Sequence, residues 1–170
     1  MDTVYLDTET TGVSDDDEIV EITIIDDDGE PLINTLVKPV YHSSWPGAER
    51  VHGISPIDVR HAPTQSQISD DIRKAVKGKR VVIYNAPFDS KFLPELEDAK
   101  EITCAMREFA KWNDSKWIKL TNATKIIGYE WEGAHRALAD TLALRAVWKH
   151  IQEDYKTKNE YGEVSWRLRS

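Results

Sequence analysis

The sequence predicts one α/β domain on a mixed sheet, a three-stranded antiparallel meander plus parallel strands, with helices on both faces. Three observations carry this. Short β-rich runs separated by turn residues fill the first forty positions, and strands alternate with helical patterns afterwards. A length of 170 residues suits one complete core.

The first run, Thr3 to Thr8, sets Val4 and Leu6 against Thr3, Tyr5 and Asp7, the alternation of a half-buried strand. Ile19 to Ile25 is a second strand, Asp28-Gly29 marks a turn, and a third strand follows around Leu32 to Val40. The acidic runs Asp15 to Glu18 and Asp26 to Asp28 read as solvated loop and hairpin ends. Ser55-Pro56-Ile57-Asp58 has the N-cap, first-turn proline and first-turn acid of a helix start. A fuller helix over Ser66 to Lys77 puts Ile68, Ile72, Ala75 and Val76 on one face and stops at Gly78.

Arg80 to Tyr84 is a continuous apolar run, the pattern of a strand covered on both faces. A short helix carrying Phe92 and Leu93 follows, and Pro94 ends or restarts it. A strand at Glu101 to Thr103 leads to helices over Ala105 to Lys111 and Leu120 to Ile127, the latter stopped by Gly128. A last long helix runs from Ala137 into the 150s. The domain is expected to cover residues 1–155. The polar tail 156–170, with Trp166, Arg167 and Arg169 near its end, reads as loosely ordered.

Charge and composition narrow the function classes. A net charge of −8 argues against gripping nucleic acid by bulk positive charge. It is compatible with an acid cluster that holds divalent cations, because a bound cation inverts the local sign. The single cysteine, Cys104, allows neither an intramolecular disulfide nor a cysteine metal pair. No apolar run approaches membrane length, and a first strand starting by Thr3 leaves no room for a signal peptide. A cytoplasmic protein without a membrane partner is expected.

Three acid sites stand out. Asp7 and Glu9, at i and i+2 of one strand, share a face with Cα atoms about 6.5–7 Å apart. That spacing can close on a divalent cation or a close pair of them, although acids before Gly12 also suit a solvated turn. Asp89 fits either an N-cap or an inward acid on the face of Phe92 and Leu93. Asp140, Leu144, Val147 and Ile151 follow i, i+4, i+7, i+11, so the carboxylate heads an inward stripe and needs a cation or a buried base. His135 precedes Asp140 by five residues, about 140° away on an ideal helix. Both face one site only if His135 lies in the loop before that helix. Its unperturbed pKa of about 6.5 suits proton transfer near neutrality. His42, His61 and His150 read as surface or packing residues.

In order along the chain, Asp7-Thr8-Glu9-Thr10-Thr11-Gly12, Asn85-Ala86-Pro87-Phe88-Asp89 and His135-Arg136-Ala137-Leu138-Ala139-Asp140 resemble the three exonuclease motifs of the DnaQ-like, DEDDh superfamily. Val51-His52-Gly53-Ile54-Ser55 resembles a segment carried between the first two. The likeness runs from residue 3 to about 150. Length and the wording of the first motif are most similar to the short stand-alone exonuclease X type. Tyr84 departs from the histidine many relatives carry before Asn-Ala.

The resemblance implies a ribonuclease-H-like fold and stepwise 3′-to-5′ hydrolysis of DNA ends, single strands preferred, releasing nucleoside 5′-monophosphates. It implies two Mg²⁺ or Mn²⁺ ions per site, with Asp7 bridging them. Glu9 and Asp140 would complete one metal site, Asp89 would support the second largely through water, and His135 would be the general base. Thr10, Thr11 and Val13 become contacts to the terminal nucleotide, and Asn85 a further substrate contact. Phe88 would stack on or wedge a base, with plain core packing equally open. His52 would line the same pocket, against an equal case for capping or packing.

The partners implied are single-stranded DNA or DNA 3′ ends, with a polymerase subunit or a second copy in a homodimer supplying affinity. Two other functions stay open. An exoribonuclease on RNA ends or short oligoribonucleotides would differ in its handling of the 2′-OH. A non-catalytic module that only binds nucleic acid or a partner has no evident need for all five motif residues.

Overall fold

This computed structural model describes residues 1–131 and 136–169, with side chains described through residue 161. Strand β1 (Thr3–Thr10) pairs antiparallel with β2 (Ile19–Ile25), which pairs antiparallel with β3 (Pro31–Leu36). On its other side β1 pairs parallel with β4 (Arg80–Ile83), and β4 pairs parallel with β5 (Glu101–Cys104). The sheet order is β3-β2-β1-β4-β5, the expected meander extended by two parallel strands.

Strand β1 is more buried than its alternation suggests. Val4 and Leu6 enter one core cluster with Ile72 and Val76, while Tyr5 enters another with Leu144 and Trp148 on the opposite face. A central strand with helices on both sides has no solvent face. Strand β3 ends at Leu36, short of the Val40 expected. Lys38 donates its amide to the Pro63 carbonyl, and the amides of Val40, Tyr41 and His42 all bond the Glu18 carboxylate. Those bonds take the donors that a longer strand would have used.

Helix α1 (Pro46–His52) is unforeseen from the sequence; Trp45 anchors its start by donating Nε1–H to the Ile54 carbonyl, and Gly53 closes it at φ 74°. The helix expected at Ser55 does not form. Ser55 and Asp58 do exchange the bonds of a helix start, but the chain continues as short turns that end at Pro63. Too few residues separate cap and proline for a helix to propagate.

Helix α2 (Gln65–Val76) opens with a capping box between Thr64 and Gln67. Helix α3 (Ala86–Asp89) passes into a 3₁₀ turn at Ser90–Phe92, and Pro94 starts another at Pro94–Asp98. Helices α4 (Ala105–Asn113) and α5 (Leu120–Ile127) follow, and Gly128 ends α5 at φ 74°. Helix α6 (Ala137–Arg169) continues through the segment read as a loose tail. That stretch contains no proline, and Lys158 pairs with Asp154 one turn earlier.

Helix α2 and the 3₁₀ turns cover one face of the sheet, and α4, α5 and α6 the other. Among the described residues no helix is long and apolar enough to cross a membrane. Since β1, β4 and β5 run parallel, their carboxyl ends meet at one edge. In open α/β sheets, ligands bind in the crevice outside the carboxyl ends of the strands.

Candidate active site

Strand β1 brings Asp7 and Glu9 to that edge, and the first turn of α6 brings Asp140 opposite them. One carboxylate oxygen from each lies within 4.8 Å of the others. Asp89, at the end of α3 and buried, accepts a 2.7 Å hydrogen bond from Thr8 Oγ1, which fixes its carboxylate to the same strand. Asp89 and Asp140 thus both lie at this edge beside the strand that carries Asp7 and Glu9.

Electrostatics at this edge are unfavourable for a protein without counter-ions. Asp7 is pushed well above the usual carboxylate range by burial and then by Asp89 and Asp140. Burial, followed by Asp140, raises Glu9 to about 9. Asp89 rises to about 6 through burial, a shift that the Thr8 hydrogen bond opposes. Asp7 Oδ2 is sealed from solvent with no hydrogen-bond partner among the described residues. A buried, partnerless carboxylate oxygen among further acids suits a hard divalent cation, which takes oxygen ligands and cancels their repulsion.

One residue the sequence reading passed over supports the cluster. Glu21 of β2 lies in register with Glu9 and is buried. Its carboxylate takes Arg136 in a two-pronged pair, Nε at 3.2 Å and Nη2 at 2.7 Å, and accepts the Ala137 amide at 2.8 Å. The start of α6, and with it Asp140, is thereby docked on the sheet. The signal was a lone acid within the apolar run Ile19 to Ile25, which needs a buried partner. His135, immediately before Arg136, lies outside the described residues.

The loop after β1 is held by side chains that sequence reading assigned to solvent. Asp17 accepts hydrogen bonds from Thr11 Oγ1 at 2.7 Å and from the amide and hydroxyl of Ser14, both at 2.9 Å. A Cβ at Gly12 would stand 2.4 Å from Asp17 Oδ2, so this approach requires glycine. Lys91 spans the mouth of the loop, bonding the Val13 carbonyl and Asp15 across the face of Phe88.

Among the remaining candidates, Thr10 and Thr11 are buried and use their hydroxyls within the loop, whereas Val13 and Asn85 are exposed. Phe88 is half-buried and packs edge-on against Phe92. His52 is buried; its Nδ1 accepts the Ile54 amide, so Nε2 carries the hydrogen and donates to the Thr10 carbonyl. It touches the first motif through its backbone.

The RNase_T family model, described as Exonuclease, matches residues 4–148. The chain belongs to this exonuclease family. An uncharacterized exonuclease, CP81, of Escherichia phage 186 is 37% identical over 161 residues, covering 82% of each chain. The DNA polymerase III subunit epsilon of Rickettsia conorii is 33% identical over 119 residues, and the match spans about half of it (51%) and 66% of this chain. Among solved structures, exonuclease X in complex with 5′ overhanging duplex DNA superposes with a TM-score of 0.72 at 27% identity, covering 89% of this chain and 92% of that one. E. coli exonuclease I with a dT13 oligonucleotide gives a TM-score of 0.76 at 21% identity over 94% and 43%, a likeness of fold. This exonuclease is thus a DnaQ-like member with the expected ribonuclease-H-like fold. Its Tyr84, the departure noted in the second motif, donates its hydroxyl to the Ile118 carbonyl and so ties the α4–α5 loop to the end of β4.

Proposed function

We propose that this exonuclease removes nucleoside 5′-monophosphates stepwise from DNA 3′ ends, single strands preferred, by a two-metal-ion mechanism. The observation that supports it most is the partnerless Asp7 oxygen within the Asp7, Glu9 and Asp140 cluster. Asp7, Glu9, Asp89 and Asp140 would hold the Mg²⁺ or Mn²⁺ ions, whose chemistry is Lewis-acid stabilisation of the attacking and leaving oxygens of an in-line displacement.

The chain's own groups do the rest. His135 takes the proton of the attacking water, since a neutral imidazole accepts one near pH 7. The docked start of α6 aims Asp140 at the cluster, and the Thr8 bond aims Asp89. The loop from Thr10 to Val13, held by Asp17 and His52, contacts the terminal nucleotide together with Asn85, while Phe88 meets its base. DNA is favoured over RNA because the relatives include polymerase III epsilon subunits and exonuclease X bound to DNA. The epsilon likeness also makes a polymerase subunit a candidate partner.

A gel time course on 5′-labelled single-stranded DNA and RNA, with Mg²⁺, Mn²⁺ and EDTA arms, tests this. Stepwise shortening of DNA that EDTA abolishes and His135→Ala cripples is the expected result. Faster RNA cleavage would make it an exoribonuclease, and no cleavage of either polymer by metal-loaded protein would leave a binding-only role.

A further inference from the structure

Trp117, in the loop between α4 and α5, is 61% exposed. The guanidinium carbon of Arg107 sits 5.2 Å from the centre of its ring, and among the described residues Arg107 has no carboxylate partner. The pair rests on a fixed base. Ile118 and Tyr84 pack on the same core cluster around Phe109, the Ile118 carbonyl accepts the Tyr84 hydroxyl, and the Met106 amide bonds the Tyr84 carbonyl. Tyr84 directly precedes the second motif at the carboxyl end of β4, so the platform stands on the same edge of the sheet as the acid cluster. A cavity of about 740 Å³ beside this loop brings Arg107 and Lys111, with Glu101 and Glu108, to one wall and Ala86, Pro87 and Ser90 of the second motif's helix to another.

Charge sets this region apart. Residues 104–119 hold Arg107, Lys111, Lys116 and Lys119 against Glu108 and Asp114, a local excess of two positive charges in a chain of net −8. An exposed indole beside a cluster of cations is the chemistry that holds a single strand, since every base has a face to stack and every linkage a negative phosphate.

We propose that Trp117 and Arg107 form a second binding platform for the strand upstream of the terminal nucleotide. Trp117 stacks a base, and Arg107, Lys116 and Lys119 neutralise phosphates. The proposal rests on the exonuclease reading of the acid cluster and extends its substrate from a terminal nucleotide to a strand of several.

The test separates the two sites by substrate length. The p-nitrophenyl ester of thymidine 5′-monophosphate reaches the acid cluster alone, whereas a single strand of about 12 nucleotides reaches both. Trp117→Ala should leave hydrolysis of the ester unchanged and weaken binding of the strand, measured by anisotropy with Ca²⁺ in place of Mg²⁺, about tenfold. Trp117→Phe should restore most of that affinity, and Arg107→Gln should flatten the salt dependence by about one unit of slope. Equal affinity of Trp117→Ala and wild type for the strand overturns the platform and leaves the exonuclease reading standing. Failure of the wild type to hydrolyse either substrate overturns that reading and the platform with it.

Discussion

Asp7 stands in the cluster with Glu9 and Asp140, and its Oδ2 is buried without a partner among the described residues. The protein alone leaves that charge unanswered, so Asp7 should weigh oppositely on stability and on activity. Asp7→Asn removes a buried carboxyl that folds without metal only by keeping a proton or bearing an unanswered charge, and should raise the melting temperature in EDTA. The same change should abolish the rise that Mg²⁺ gives wild type and lower kcat by on the order of 10³-fold, the worth of several kcal/mol of lost metal-assisted stabilisation. Melting curves with and without Mg²⁺, beside a rate assay, check both signs. Acidity follows the same reasoning. Glu9 titrates near 9 and Asp89 near 6 in the folded protein, against ordinary values of 4.5 and 3.8. Between those limits the folded state keeps protons that the unfolded chain has released, so stability falls as pH rises. In EDTA the melting temperature should therefore drop steadily from about pH 4 to about pH 9, and saturating Mg²⁺ should flatten that slope. A metal-free protein most stable at pH 8 would contradict the charge assignment.

At the scale of elements, the start of α6 decides where Asp140 points, and Glu21 decides where α6 starts. Its carboxylate answers the Ala137 amide and the Arg136 guanidinium together, satisfying an otherwise orphaned helix donor with an acid placed at the positive end of the helix. Glu21→Ala should cost about 1–3 kcal/mol of stability, the penalty for an unmet buried donor. It should also lower kcat about 10- to 100-fold, as losing a residue that orients a metal ligand does. Glu21→Gln keeps the acceptor and should recover most of the stability; denaturant titration and single-turnover rates on both variants distinguish anchoring from a general weakening of the core. Most of the framework was legible as elements: β1, β2, β4, α5 and the start of α6 lie where periodicity and stop residues put them. Helix α1 and the missing helix at Ser55 were not, because their hydrogen bonds were decided by Trp45, Ile54 and Pro63, which local propensity does not link.

The molecule as a whole is acidic, and a polyanionic substrate meets it against that field. Under the two proposals above, attraction comes from the bound metal ions and from the positive surface around Arg107 and Trp117. The 170-residue chain by itself should digest distributively, releasing its strand after few cleavages, and turnover of long single strands should fall on the order of tenfold between about 50 and 200 mM salt. Adding excess unlabelled strand mid-reaction checks this, because a processive enzyme would finish its bound strand regardless. Tethering to a more basic partner would raise the effective concentration and relieve the salt effect.

By itself, the sequence determined the class of fold, the order of its strands in the meander, and the three acid motifs, because alternation, stop residues and motif spacing are properties of neighbours along the chain. Only the tertiary structure decided that Glu21 holds Arg136 across 115 positions, that Asp17 and His52 clamp the loop after β1, and that Tyr84, just before the second motif, holds the loop carrying Trp117. The Glu21, His52 and Tyr84 bonds each join groups distant in sequence. Burial makes an unmet donor or acceptor costly wherever it lies, yet the partner that answers it is chosen by packing and not by position in the chain.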